Sequence, residues 1–399
     1  LEKQLLRSVS DLDDIQYYGK KVLVRVDFNV TLDNSLVTED YRIRSAIPTI
    51  EYLVKRGAKV ILASHLGRPK YRNHNNSLAP VAVRLKEILN RKVDFINDCI
   101  GTEVDTKIEK LNYGSILLLE NLRYYSEEQN NDPEFCKSIS SLADIYVNDA
   151  FSTSHRKHAS TYGAVKNFDI RLSGFSLIKE IEYLSMIRYN PRKPFTLVVG
   201  GSKIKDKIGA LENLLPKADK LLIGGGAAYT FLKAKGFKIG NSLFDEEHFD
   251  WVKSALSSFG EKILLPLDHI VSSEENSFST VSGDIPDGMC GFDIGNETSR
   301  IYSSEIGGNG FGTIFWNGPM GMFEVEQFAG GTMNVAKSMA LAFWRGAMTL
   351  VGGGDTIVAL KKSGVSESEV THLSTGGGAT LRFLAGDKMP GIEALEQAN

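Results

Sequence analysis

Along the chain, short runs rich in Val, Ile and Leu alternate with longer stretches that carry helical patterns. The runs occupy residues 22–26, 60–63, 116–119, 145–147, 195–199, 221–223, 263–265, 313–316 and 348–351. Runs that are apolar on both alternating faces, separated by helical patterns, predict buried parallel strands with helices on both sides. The expected architecture is therefore α/β, a Rossmann-like three-layer sandwich. Sheets of this kind bind ligands beyond the carboxyl ends of their strands. The residues that follow the runs suit that role: Asp27-Phe28-Asn29, Ser64-His65, Glu120-Asn121, Asn148-Asp149, Gly200-Gly201, Gly224-Gly225-Gly226, Asn317-Gly318 and Gly352-Gly353-Gly354. Eight polar or glycine-rich strand ends point to a site.

The pattern also divides. Ser173-Gly174 precedes a helical stretch, and Asn190-Pro191-Arg192-Lys193-Pro194 stops it before the next strand. This predicts a lobe over 1–172, a linking hinge helix over 173–190 and a second lobe over 191–386, with 387–399 packing back on the first. Composition separates the two: 14 of 17 arginines lie at or before residue 192, and 31 of 38 glycines lie after it. Arginine presents a planar charged fork to carboxylate and phosphate oxygens. Glycine lets backbone amides at helix starts approach nucleotide phosphates. The first lobe thus suits a small polyanion and the second a nucleotide, although Arg7, Arg56, Arg84 and Arg91 read as ordinary surface charges.

With 399 residues, 42% of them hydrophobic, the chain can bury two cores, and its net charge of −3 offers no footprint for nucleic acid. No stretch approaches the roughly 20 apolar residues of a membrane span, and Leu1-Glu2-Lys3-Gln4 has no signal-peptide character. A cytoplasmic protein is expected. Cys99, Cys136 and Cys290 are widely spaced and odd in number, so they read as buried reduced thiols.

Individual motifs sharpen the chemistry. Arg25-Val26-Asp27-Phe28-Asn29 delivers a carboxylate and an amide at alternate positions, able to hold substrate hydroxyls. His65-Leu66-Gly67-Arg68-Pro69 sets an imidazole beside a guanidinium. Arg42, Arg123 and Arg156 complete a basic set able to clamp a phosphate and a carboxylate. His155 and His158 lack a neighbouring carboxylate or thiolate for a metal. In the second lobe, Gly200-Gly201 leads to Lys203 and Lys207, four apart and expected on one helical face. Glycine triplets at 224–226, 352–354 and 376–378 each lead into a helical pattern, and Asp355-Thr356 follows the second. Neither a Walker loop nor a dinucleotide fingerprint occurs, which weakens P-loop kinase and dehydrogenase readings. A transport-type binding protein of two lobes would take a single ligand and most often carry an export signal.

Together these segments resemble the phosphoglycerate kinase family, in its order, along essentially the whole chain. The matching segments are Arg-Val-Asp-Phe-Asn (25–29), His-Leu-Gly-Arg-Pro (65–69), Glu-Asn-Leu-Arg (120–123), Val-Asn-Asp-Ala-Phe (147–151), Lys-Ile-Lys-Asp-Lys (203–207), Trp-Asn-Gly-Pro-Met-Gly (316–321), Gly-Gly-Gly-Asp-Thr (352–356) and Ser-Thr-Gly-Gly-Gly-Ala (374–379). The resemblance implies reversible phosphoryl transfer between ATP and the carboxylate of 3-phosphoglycerate, giving ADP and 1,3-bisphosphoglycerate, in a monomer that closes about its hinge. It implies that Asp27, Phe28, Asn29, Arg42, His65, Leu66, Gly67, Arg68, Arg123 and Arg156 hold the phosphoglycerate. It assigns Lys203, Lys207, Gly225, Gly291, Asn317, Glu324, Gly353, Gly354, Asp355 and Thr356 to the nucleotide, with Asp355 serving Mg2+. Arg42, Lys203, Gly354 and Gly377 are then the candidates for catalysis. Thr31, Asn296, Ala227 and Tyr229 depart from the family's usual residues, which implies altered loop stiffness.

Overall fold

The computed structural model describes residues 6–273, 278–308 and 310–396. The chain forms two compact units, one running up to Glu182 and taking in the segment from Lys388, the other Tyr183–Asp387. The division falls inside the helix Phe175–Tyr189. Of the terminal segment expected over 387–399, the last three residues lie outside the described ones, as do residues 1–5 of the first lobe.

The first unit is built on a six-stranded parallel sheet. Its strands are β1 (Lys21–Val26), β2 (Lys59–Ala63), β3 (Asp94–Ile96), β4 (Ile116–Leu119), β5 (Ile145–Asp149) and β6 (Ile170–Ser173), in the spatial order β3-β4-β2-β1-β5-β6. Val22, Val24, Val26, Val60, Leu62 and Leu118 are buried in a core shared with helix α1 (Tyr41–Lys55). The chain leaves β1 toward β2 on one side and returns as β5 on the other, which opens a crevice at the carboxyl ends. Arg25 is level with Ala63 and Asn148, so the segments starting at residues 27, 64 and 149 emerge side by side. The C-terminal segment joins this unit through hydrogen bonds from the Gly391 amide to the Ser154 carbonyl (2.8 Å) and from Arg171 to the Ala394 carbonyl (3.1 Å).

The second unit repeats the plan with β7 (Phe195–Val199), β8 (Lys220–Ile223), β9 (Ile263–Leu264), β10 (Thr313–Asn317), β11 (Met348–Gly352) and β12 (His372–Ser374), ordered β9-β8-β7-β10-β11-β12 and all parallel. Here the switch lies between β7 and β10. Helix α2 is Phe175–Tyr189; α3 (Gly225–Ala234), α4 (Gly354–Lys362) and α5 (Gly378–Ala385) each begin within one of the three glycine triplets.

All nine apolar runs coincide with strands. Among the described residues, the strands that the pattern does not signal are β3, β6 and β12, three-to-four-residue pieces at sheet edges, a two-residue hairpin pair at Leu32–Asp33 and Leu36–Val37, and a separate antiparallel sheet of Asp268–Ser272, Phe278–Ser282 and Cys290–Ile294. Of its two outer strands, Phe278–Ser282 is almost wholly exposed, so burial left no apolar signature in it.

Candidate functional site

In the first unit, four strand ends and α1 assemble one basic site. Asp27 pairs with Arg42 from α1, accepts from Ser152 Oγ at 2.6 Å and takes the Asn29 amide at 3.2 Å. Asn29 Oδ1 in turn accepts from the Gly67 amide at 2.8 Å, which ties the β1 loop to the β2 loop. The Asn121 side chain accepts from the Leu66 amide and donates to its carbonyl at 2.8 Å, tying β2 to β4. Arg123 NH1 donates to the Gly67 carbonyl at 2.6 Å while its Nε, buried, has no hydrogen-bond partner. Gly67 is left-handed, with φ of 64°, and a Cβ there would stand 2.3 Å from the Asn76 amide nitrogen, so any other residue would be strained and would displace Asn76. Arg68 is exposed; Arg156, half-buried in the loop after β5, contacts His155 Nε2 at 3.0 Å.

The site is electropositive. Burial, then the neighbouring charges of Arg25 and Arg156, lower the Arg123 guanidinium to about 10. Burial and then the Arg123 and Arg25 charges push His158 down to about 3. His65 lies well below its ordinary value because it is buried and faces Arg25, Arg123 and Arg42. His65 is therefore an uncharged hydrogen-bonding group at neutral pH, not a further cation in the clamp. Phe28 and Leu66 are buried, which leaves only their backbone atoms for a ligand. The surface arginines behave as expected: Arg56 pairs with Asp14 and Arg84 with Asp40 and Glu87.

The second unit holds a pocket of about 430 Å³ whose lining includes Gly201, Gly225, Gly291, Met322, Glu324 and Asp355. Glycines keep its walls close: a Cβ on Gly291 would stand 2.1 Å from the Tyr229 hydroxyl, and one on Gly225 2.7 Å from the Gly201 nitrogen. Lys203, Lys207, Asn317, Gly353, Gly354, Thr356 and Gly377 stand outside that lining. Asn317 is buried and donates to the Gly352 carbonyl at 2.8 Å; the buried Thr356 hydroxyl accepts from the Gly318 amide at 2.8 Å. Both fix the β10 and β11 ends. Gly353 and Gly377 cap α4 and α5 with φ of 99° and 54°, and nothing stands within 4 Å of where a Cβ on Gly354 or Gly377 would be. The helix starts are open to a ligand.

One local expectation is corrected. Lys203 and Lys207 do not share a helical face: Lys203 is in the loop, Lys207 ends a 3-10 turn at Lys205–Lys207, and the α-helix begins only at Ile208. The Gly200-Gly201 turn delays the helix. Lys207 Nζ donates to the Lys203 backbone carbonyl at 3.4 Å, and burial lowers the Lys207 ammonium against the opposite pull of Asp206 and Asp355. Cys99 and Cys136 are buried, as expected, but Cys290 is half-buried on the pocket wall. The residues that sequence reasoning missed there include Leu243, Phe292 and Met322; isolated apolar residues in loops and edge strands carry no periodic signal. In the first unit it missed Arg25, Ser152 and Ser160 as supporting groups.

The family model for phosphoglycerate kinase matches residues 12–387. The chain is 46% identical over 400 residues to the cytosolic phosphoglycerate kinase of Nicotiana tabacum, covering 98% of this chain and 99% of that one. It is also 46% identical to phosphoglycerate kinase 2, chloroplastic, of Arabidopsis thaliana, covering 98% and 83%. Among solved structures, phosphoglycerate kinase from Coxiella burnetii superimposes with a TM-score of 0.83 at 39% identity, covering 98% of each chain.

Proposed function

The chain belongs to the phosphoglycerate kinase family, and from that premise we propose how its residues share the work of the reaction. The activity is reversible transfer of a phosphoryl group between ATP and the carboxylate of 3-phosphoglycerate, a step of glycolysis. The observation that carries the assignment of sites is the contrast between the two crevices: a cluster of guanidinium groups around one, and open helix starts at glycine turns beside the other.

In this reading Arg42, His65, Arg68, Arg123 and Arg156, with Asp27, Asn29 and Gly67 and the backbone of Phe28 and Leu66, hold 3-phosphoglycerate. Gly225, Gly291 and Glu324 line the nucleotide pocket, Lys203 and Lys207 meet the phosphates, and Asn317, Gly353, Gly354 and Thr356 shape the β10 and β11 turns. The attacking carboxylate is already ionised at neutral pH, so no protein general base is needed. What remains is positioning and neutralisation of charge on the migrating phosphoryl group. Arg42 and Lys203 supply cations for that charge, and the amides at the starts of α4 and α5, at Gly354 and beyond Gly377, add to the same field. In-line transfer requires donor and acceptor in contact, so the reaction includes a closing step, for which we assign α2 as the hinge.

Among the described residues no group of three or more His, Cys, Asp or Glu side chains is arranged to hold a metal. Magnesium bound with a nucleotide keeps waters and phosphate oxygens in its shell and needs few protein ligands. Asp355, exposed in the first turn of α4 and on the pocket wall, fits that role. Magnesium there would offset phosphate charge. No helix among the described residues is long and apolar enough to cross a membrane. We propose a cytosolic location, as the name of the Nicotiana tabacum relative gives for that protein, and a monomeric state; cell fractionation and sedimentation test these two points. The reaction itself is tested by mixing purified protein with magnesium, ATP and 3-phosphoglycerate and following ADP. No ADP formation would sink the reading.

A further inference from the structure

Behind the basic site a buried chain of polar groups leads to His65, and the reaction as described uses none of its other members. Arg25, His65, Glu128 and Ser160 are each at most 4% exposed. Glu128 accepts from the Ser160 hydroxyl at 2.6 Å through one oxygen and from the Ser160 amide at 2.9 Å through the other. A five-residue π-helical turn, Ala159–Gly163, presents both donors of Ser160 to one carboxylate. Arg25 Nε donates to the same hydroxyl oxygen at 2.9 Å, NH1 to the Val26 carbonyl at 2.5 Å, and NH2 contacts His65 Nδ1 at 3.1 Å.

The direction of donation along this chain is determined by its chemistry. A carboxylate only accepts, so the single Ser160 hydroxyl proton goes to Glu128 and leaves a lone pair for Arg25. A guanidinium only donates, so His65 Nδ1 must accept. The imidazole then keeps its proton on Nε2, the nitrogen that faces away from Arg25. We propose that Glu128 is a positioning residue for substrate binding, acting through Ser160 and Arg25 to hold His65 in the tautomer that donates from Nε2. The inference rests on the reading that His65 contacts 3-phosphoglycerate. A donor at that place suits an anionic ligand; the other tautomer would turn a lone pair toward it.

Fixing the guanidinium on three sides matters because other groups compete for the ring. His65 is faced by Arg25, Arg123 and Arg42 and by His158, and an Arg25 free to rotate would no longer cap Nδ1. The ring could then exchange tautomers.

The test uses full-length protein labelled with 15N in its histidine rings, His65 being assigned by its loss in His65→Gln. In the unmodified protein, Nδ1 of His65 is expected to be unprotonated and Nε2 protonated; a proton on Nδ1 would overturn the proposal without any further variant. Glu128→Gln and the gentler Ser160→Ala, checked for folding by thermal unfolding, are expected to move both His65 ring signals. They should also raise KM for 3-phosphoglycerate on the order of tenfold, as for a hydrogen bond to a charged group, while KM for ATP stays within about twofold. Unchanged ring signals in folded variants overturn the relay. Shifted ring signals with unchanged KM for 3-phosphoglycerate keep the relay but remove His65 from the substrate site, so the two failures are told apart.

Discussion

At the residue scale, the site depends on a few charged groups whose surroundings are unequal. Arg42 is held by Asp27, whereas Lys203 stands exposed in a loop. Replacing either with alanine is expected to leave the fold intact and cut turnover about a hundredfold, on the scale of losing one transition-state donor; near-normal kcat in steady-state assays would remove that residue from its role. The basic residues themselves were legible in the sequence because arginines after strand ends are chemically conspicuous. Their protonation was not. His65 was legible only as an imidazole beside the arginines; burial and the charges of three arginines leave it uncharged. Gly291 and Glu324 were reachable only through family resemblance, because no local pattern marks a glycine pressed against the Tyr229 hydroxyl.

At the scale of elements, strands and glycine turns were legible and their connections were not. Gly67 shows what such a connection requires: alanine there would be strained at φ of 64° and crowd Asn76. Gly67→Ala is expected to cost about 1–2 kcal/mol of stability and, by displacing the carbonyl that anchors Arg123, to weaken 3-phosphoglycerate binding and not ATP binding. Separate calorimetric titrations of the two ligands check this. Helix α2 carries a second consequence. Asp149 caps it by accepting from the Ser176 and Leu177 amides through Oδ1, and burial raises the carboxyl to about 7 against the opposite pull of Thr49 and these two amides. The folded state therefore binds this proton more tightly than the unfolded chain. Its stabilising effect is full below the unfolded value near 4 and is lost as pH rises to about 7. Asp149→Asn, which keeps Oδ1 and puts an uncharged group at Oδ2, should be more stable than the parent at pH 8 by up to a few kcal/mol and close to it at pH 4. Urea unfolding at both pH values decides; an equal difference at each would show that Asp149 does not titrate in this range.

At the scale of the whole molecule, two units of one plan carry two chemistries. Chelating magnesium is expected to abolish phosphoryl transfer while leaving 3-phosphoglycerate binding to the arginine cluster unaltered; a parallel loss of both, measured by turnover and calorimetry, would contradict the separation of roles. The sequence alone determined the α/β class, the nine main strands, the contrast between an arginine-rich and a glycine-rich half, and the family. These follow from hydrophobic periodicity, composition and motif order, which are written along the chain. Only the tertiary structure decided that β1 lies between β2 and β5, that Asn29, Gly67, Asn121 and Arg123 lock three loops together, that Lys203 and Lys207 do not share a helix, and that Glu128 reaches His65 through Ser160 and Arg25. The physical reason is the same in each case. Burial and hydrogen bonding between residues far apart in the chain depend on strand order and loop path, and neither leaves a local trace in amino-acid type.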